Sequence, residues 1–329
     1  MDYIPYLLVL HITGRCNLKC AYCYASSYDK NDLETETAQD ILSQAAKLGT
    51  RHVILSGGEA LLHPDFYTIS EYAKNLGIKV HLTSNGTLID ENNAKKLKSL
   101  DAIITISLDG SCSEINDPLR GGGTFDSAIS SINNLVHCGV TTSMRMTLVK
   151  DNVSDVYKYI ELAKRQKVNR CIIERVTGIF GNPESFKLEP SSEDLIKSFE
   201  ILSKYANIEG IKIGSNDPLW LIYQNNLCEK ITGNDHIRGG CTAGVASVTI
   251  TPDLTVIPCP RLPVKAGSLN DDSLEDIWLT SKVFLDLRNR DLFAGCSSCD
   301  SKYICGGCRG AAYSRGSYLA KDPYCWRNG

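Results

Sequence analysis

The chain has 329 residues, 43% of them hydrophobic and 22% charged, with a formal net charge of −3. That length holds about two domains of ~150 residues each, or one large barrel. The composition excludes a disordered chain, and the slight acidity excludes one built to coat nucleic acid or an anionic membrane. The fourteen cysteines, about 4% of the residues, fall below the roughly 8–10% of small disulfide scaffolds yet are many for an ordinary enzyme.

The opening MDYIPYLLVL carries Asp2 where a signal peptide would be positive. No apolar run approaches the ~18 residues of a membrane helix. A cytoplasmic location is expected, and no membrane or nucleic-acid partner. In that compartment thiols stay reduced, and clustered cysteines read as metal ligands or catalytic groups.

Apolar spacing predicts alternating strands and helices. Strands are expected at 7–12, 52–56, 78–83, 102–108, 141–149 and 170–176. Helices are expected at 36–48, 65–76, 91–100, 125–138 and 153–166, several closed by a glycine such as Gly49. Six β-α repeats in about 190 residues imply a parallel sheet with right-handed crossovers. The expected fold is α/β, a partial (βα)6 barrel, with an open doubly wound sheet as the alternative. The segments GRCNLKCAYC, SGGE, TSNG and SLDG each follow a predicted strand. In such a barrel the C-terminal strand ends form one rim, where active sites sit.

Further on, 191–205 has helical spacing. A hairpin is expected from 246–251, a turn at Pro252-Asp253, and 254–257. One amphipathic helix is expected over 273–287. The expected division is 1–210 barrel, 211–240 linker and 241–329 a small cysteine-rich domain with the hairpin and short helices.

The cysteines fall into three groups. Cys16-x3-Cys20-x2-Cys23 supplies three thiolates within eight residues. Such a loop can hold three irons of a four-iron cube and leave the fourth open to a small molecule. A zinc site lacking its fourth ligand, or three unrelated core cysteines, are the alternatives. Seven cysteines crowd the tail: Cys241, Cys259, Cys296, Cys299, Cys305, Cys308 and Cys325. These exceed one tetrahedral zinc site, and two zinc sites are the alternative to clusters. Cys112, Cys138 and Cys171 read as structural, and the six histidines as structural or solvated, except that His11 lies beside the first cysteine loop. Cys228 is either a buried thiol or a further ligand.

The CxxxCxxC loop after a first strand, with Tyr22 before its last cysteine, resembles the radical SAM superfamily. Gly57-Gly58-Glu59 is similar to its GGE element, which holds the amino group of S-adenosylmethionine (SAM). Glycines admit close backbone approach, and a carboxylate pairs with an ammonium. By the same resemblance Ser84, Asn85, Ser107 and Asp109 would meet the ribose, Tyr22 the adenine, and Arg145 the SAM carboxylate. The implied chemistry is one-electron cleavage of SAM at a [4Fe-4S] cluster with an open iron. It yields a 5′-deoxyadenosyl radical that abstracts a substrate hydrogen. A low-potential donor such as ferredoxin or flavodoxin is implied.

The tail resembles the SPASM domain, which carries two auxiliary [4Fe-4S] clusters. The resemblance assigns Cys296, Cys299, Cys305 and Cys325 to an outer cluster. It assigns Cys241, Cys259 and Cys308 to an inner one, whose fourth iron is either open to substrate or held by Cys228. Two departures stand out: Cys305 and Cys308 are two residues apart where the family commonly has three, and Leu254 replaces a common glycine. The last segment is similar both to enzymes of alternative heme biosynthesis and to peptide-modifying enzymes. The short stretch ahead of Cys16 favours a peptide or protein side chain as substrate, with a tetrapyrrole as the alternative. A non-catalytic iron–sulfur carrier or a zinc-binding module is the reading from a different class. Glu174 and Arg175, at the end of the sixth strand, are candidate catalytic rim residues, and the oligomeric state is left open.

Overall fold

A computed structural model describes residues 3–27, 30–179, 182–206, 208–227, 237 and 239–327. The repeats begin with β1 (Leu7–Thr13), α1 (Thr35–Lys47), β2 (His52–Gly57), α2 (Phe66–Asn75), β3 (Lys79–Ser84), α3 (Glu91–Ser99) and β4 (Ile103–Ser107). They continue with α4 (Ser113–Arg120), α5 (Thr124–His137), β5 (Thr141–Leu148), α6 (Val156–Arg165) and β6 (Arg170–Arg175). Then follow α7 (Pro183–Phe186), α8 (Ser192–Tyr205), β7 (Lys212–Gly214) and α9 (Pro218–Leu227). The tail holds β8 (Ser247–Ile250), β9 (Thr255–Ile257), β10 (Gly267–Ser268), α10 (Leu274–Thr280), α11 (Lys282–Arg288) and α12 (Arg309–Tyr313).

The ten strands of the described residues form one sheet, in the order β10-β9-β8-β1-β2-β3-β4-β5-β6-β7. From β1 to β7 the spatial order is the sequence order and every pair is parallel. A doubly wound sheet would reverse direction at a switch point, whereas an unreversed order is the winding of a barrel. The ends do not meet, so the barrel is partial. Its strands bury alternate residues such as Leu8, Leu10, Val53, Leu55, Val80 and Leu82 beneath the helices. In α1 the spacing Ala38, Ile41, Leu42, Ala45 does the same from the other side.

The hairpin forms as expected, with β8 and β9 antiparallel. Its position carries more than its shape. β8 pairs parallel with β1, Leu7 opposite Ser247 through Leu10 opposite Ile250. The cysteine-rich tail therefore extends the same sheet. Leu254, where a glycine is common, sits between the hairpin strands at φ 66°. This explains the family preference: the turn needs a left-handed residue, and here leucine bears the strain.

Three other expectations change. The 273–287 segment is two helices, broken at Ser281, whose extended ψ of 123° ends α10. The span expected as a linker contains β7 and α9. Leu219 and Trp220 are buried there, and Trp220 stacks on Tyr223 beside Phe199. Helix α4 went unread because it is short and carries Pro118 inside it, a residue that argues against a helix. No helix among the described residues is long and apolar enough to cross a membrane.

Candidate functional site

The first cysteine loop leaves β1 at Thr13 and is held by both backbone and side-chain contacts to the strand ends. The amides of Gly58 and Glu59 donate to the carbonyls of Thr13 and Arg15, both at 2.8 Å. A Cβ on Gly57 would stand 2.1 Å from the Thr13 oxygen, and one on Gly58 1.9 Å from the Arg15 oxygen. The two glycines thus admit the cysteine loop itself against the end of β2, rather than only a ligand. Arg15 closes the loop base, pairing with Asp32 at 2.5 Å and donating to the Leu62 carbonyl at 2.7 Å. Ala21 N donates to Leu119 O at the end of α4 (2.9 Å). Asn17 donates to Thr87 and accepts from Asn85, each at 2.8 Å.

Cys16 is exposed, and Cys20 and Cys23 are half-buried. The three lie within electrostatic reach of one another. Burial pushes the Cys20 thiol up to about 11, against the pull of Arg120. Arg120 Nη1 lies 3.9 Å from Cys20 Sγ.

The strand ends meet around this loop through direct bonds. Glu59 is buried and accepts from Ser84 Oγ at 2.9 Å and from the Asn85 amide at 2.8 Å. Burial raises its pKa, against these hydrogen bonds. An ammonium group brought to it would favour its ionised form. Asp109 is fully buried, and its carboxylate is spent on protein groups. It accepts from the Thr147 amide (2.7 Å) and the Tyr22 hydroxyl, and pairs with Arg120 Nε at 2.6 Å. Burial works against the Arg120 cation, but Asp109 and Tyr22 hold its pKa above the usual range. Asp109 therefore braces the loop through Tyr22.

Ser107 and Arg145 are register partners on β4 and β5. Arg145 Nε stands 3.9 Å from Glu174 Oε1, and Asn216 donates to the same carboxylate at 2.6 Å. Burial disfavours the Glu174 anion, but Arg145 and Arg261 outweigh it and depress its pKa. The neighbouring rim candidate lies elsewhere. Adjacent strand residues face opposite sides, so Arg175 turns away from Glu174 into the core. There its guanidinium pairs with Asp217 at 2.6 Å and Asp322 at 2.5 Å, and lies over the Tyr324 ring at 4.6 Å. Arg175 clasps the tail to β6 and is no rim residue.

The seven tail cysteines sort into two neighbourhoods. Cys259 and Cys308 share electrostatic reach with Cys241, and Cys296 with Cys299 and Cys325. Cys305 lies near Cys325. The groups abut, since the Cys241 amide donates to the Cys305 carbonyl at 3.0 Å. Gly306 and Gly307 both have positive φ, 68° and 61°, so the short spacing between Cys305 and Cys308 is a left-handed turn. Burial raises the Cys259 thiol to about 11 and pushes Cys305 and Cys308 up as well. Such thiols ionise only beside strong positive charge. No three His, Cys, Asp or Glu side chains among the described residues converge as a single-ion site would. The corner ligands of a four-iron cube stand further apart, so a thiol-only donor set with buried arginines around it fits a cluster. Cys228 lies outside the described residues.

Arg120, Arg261, Arg290 and Arg309 escaped the sequence reading. Arg309 follows Cys308 and Arg261 stands two residues after Cys259, a faint signal, whereas Arg120 and Arg290 have acids close by in sequence and no such mark.

Comparison with known proteins accords with this arrangement. A Radical SAM superfamily model matches residues 10–163, and a model for an iron–sulfur cluster-binding domain, SPASM, matches 241–300. An AdoMet-dependent heme synthase of Methanosarcina barkeri is 29% identical over 99% of this chain and 97% of its own length. Mycofactocin maturase MftC of Mycobacterium tuberculosis is 28% identical over 98% of this chain and 83% of its own. The crystal structure of Streptococcus suis SuiB bound to its precursor peptide SuiA shares the fold. It has TM-score 0.83 at 20% identity, over 99% of this chain and 76% of that one. The chain is thus an enzyme of the radical SAM superfamily with a SPASM domain for auxiliary iron–sulfur clusters.

Proposed function

We propose that this enzyme modifies a peptide or protein side chain by hydrogen abstraction, in the cytoplasm, with electrons from ferredoxin or flavodoxin. In this reading Cys16, Cys20 and Cys23 hold the SAM-binding cluster. Cys296, Cys299, Cys305 and Cys325 hold the outer auxiliary cluster. Cys241, Cys259 and Cys308 hold the inner one, Cys228 being the candidate fourth ligand. Residues 1–210 then form the catalytic barrel and 241–329 the auxiliary domain. The bound SAM and its cluster supply a radical able to take an unactivated hydrogen.

The protein's own contribution is placement. Glu59 offers a buried carboxylate to the SAM ammonium, and Arg145 a cation to its carboxylate. Ser84, Asn85 and Ser107 offer short polar groups to the ribose. Tyr22, fixed by Asp109, presents its ring beside the cysteine loop. Glu174 is the remaining rim candidate for acid–base work. One observation carries the reading: the cysteine loop, Glu59, Asn85 and Asp109 are hydrogen-bonded into one constellation at the strand ends. The maturase MftC and the peptide-bound SuiB support the substrate class.

The near full-length match to a heme synthase supports a second reading, an iron porphyrin as substrate. One assay separates them. Reconstituted enzyme with dithionite and SAM is given either peptides from the short reading frames beside its gene or an iron porphyrin bearing propionates. Formation of 5′-deoxyadenosine above the substrate-free level, with a mass change in a peptide, is expected. A mass change in the porphyrin alone would replace the first reading with the second.

A further inference from the structure

Two guanidinium groups are buried in the cysteine-rich tail: Arg309 is 1% exposed and Arg290 2%. Neither forms an ion pair with a carboxylate among the described residues. Acids of the same region are committed elsewhere: Asp291 to Lys302, Asp322 to Arg175 and Glu189 to Arg315. Arg290 spends its Nη atoms on the carbonyls of Lys302, Gly239 (2.8 Å) and Cys241 (3.3 Å). Arg309 sends Nη1 to the carbonyls of Tyr318 and Ala320, both at 2.9 Å, and lies over the Phe293 ring at 4.3 Å. Its Nε and Nη2 are buried with no acceptor among the described residues. A buried cation without an anion, and buried donors without acceptors, are costly arrangements. They persist where a partner supplies both.

The surroundings indicate that partner. The turn Cys305-Gly306-Gly307-Cys308 lies against both arginines. A Cβ on Gly306 would stand 2.9 Å from Arg290 Cζ, and one on Gly307 2.7 Å from Arg309 Nη2. Arg309 is the foremost cation acting on Cys296, and Arg290 lies within reach first of Cys241 and then of Cys305 and Cys296. An iron–sulfur cube with four thiolate ligands is an anion whose sulfurs accept hydrogen bonds. Such bonds and nearby charge set its potential.

We infer that Arg309 donates from Nε and Nη2 to sulfur of the outer auxiliary cluster and, with Arg290 as second counter-cation, raises that cluster's reduction potential. The inference rests on the proposal that Cys296, Cys299, Cys305 and Cys325 hold a cluster. Reduction adds one electron and one negative charge to the cube, which the two cations stabilise. The outer cluster is then a favoured resting place for an electron passing through the tail. Arg309 acts on it as a positioning and tuning residue.

The test is a poised-potential titration of the anaerobically reconstituted enzyme, followed by electron paramagnetic resonance, with iron and labile sulfide measured on each sample. Arg309→Gln is expected to keep its iron and to move one of the reduction waves negative. At a fixed potential the ratio of reduced to oxidised cluster should fall about tenfold, or ~59 mV for one electron. Arg309→Lys keeps the charge but loses the forked donors, and should move the same wave by less. Should the glutamine variant lose iron, the lysine variant decides. Full iron content with every wave unmoved overturns the inference. Wild-type protein with no cluster in its tail would instead overturn the reading beneath it.

Discussion

The molecule holds its two groups of cysteines in opposite ways. The first, on a loop between β1 and α1, is exposed or half-buried and fixed by backbone bonds to the end of β2. The tail buries Cys296, Cys305 and Cys308 and surrounds its thiols with arginine side chains. An iron that must bind a substrate needs an open approach, so its ligands are placed by backbone and leave one side clear. A cluster that only stores or passes charge gains from enclosure, and enclosure demands buried counter-charge. Arg120 also stands beside a thiol, Cys20, but there Asp109 already neutralises it.

The largest expected effect breaks the comparison at the first group. Replacing Cys16, Cys20 and Cys23 by alanine should abolish 5′-deoxyadenosine formation. Iron should fall from about twelve to about eight atoms per chain. SAM cleavage surviving the triple change would refute the division of labour. Next comes the clasp between the regions. Arg175→Met leaves Asp217 and Asp322 buried without their cation, and should cost about 3–5 kcal/mol of stability. Thermal unfolding would read this, and an unchanged midpoint would show that the clasp carries no load.

Gly58→Ala sharpens the contrast from the other direction. Its Cβ meets the Arg15 carbonyl, which cannot swing aside as a side chain would. Loss of about four irons from the first loop is expected, with the tail keeping about eight. Equal loss from both regions would mean that the two are not independently built. The smallest effect lies at the opposite end of the strands. His81 is bonded to His52 at 2.9 Å, with Lys79 and Arg170 nearby. Burial, then the His52, Lys79 and Arg170 charges, lowers its pKa from 6.5 to about 4. Unfolded chain therefore binds the extra proton between those values, so stability rises with pH across the window and is complete above it. His81→Asn should flatten the fall in melting temperature from pH 6.5 to 4 while leaving iron content unchanged. A fall as steep as in the parent would assign the pH dependence to other groups.

Much of this was legible in the sequence because it is local. The β-α alternation follows from apolar spacing, and the cysteine groups from counting. The pairing of β8 with β1 was not, since nothing in the residues of a hairpin encodes a partner about 240 residues away. Glu174 and Arg175 show the same limit at short range. Both were read as rim residues, yet strand alternation sends one to the rim and the other to the core. That choice depends on Asp217 and Asp322, which arrive from elsewhere in the chain. The arginines of the tail escaped for a related reason. A buried cation is recognisable only once the fold reveals the missing acid.

The place of β1 in the sheet bears on how the protein is made. A ribosome releases β1 first, and β2 can pair with one of its sides early. Its other side waits for β8, more than two hundred residues later. Throughout that interval a strand with fully apolar Leu8, Leu10 and Ile12 presents an unpaired backbone edge, the feature most prone to joining a wrong neighbour. The bonds that fix the cysteine loop after it, to Gly58, Glu59, Asn85, Asp109 and Leu119, can by contrast form before the tail emerges. A product truncated before β8 would keep that edge of β1 unpaired.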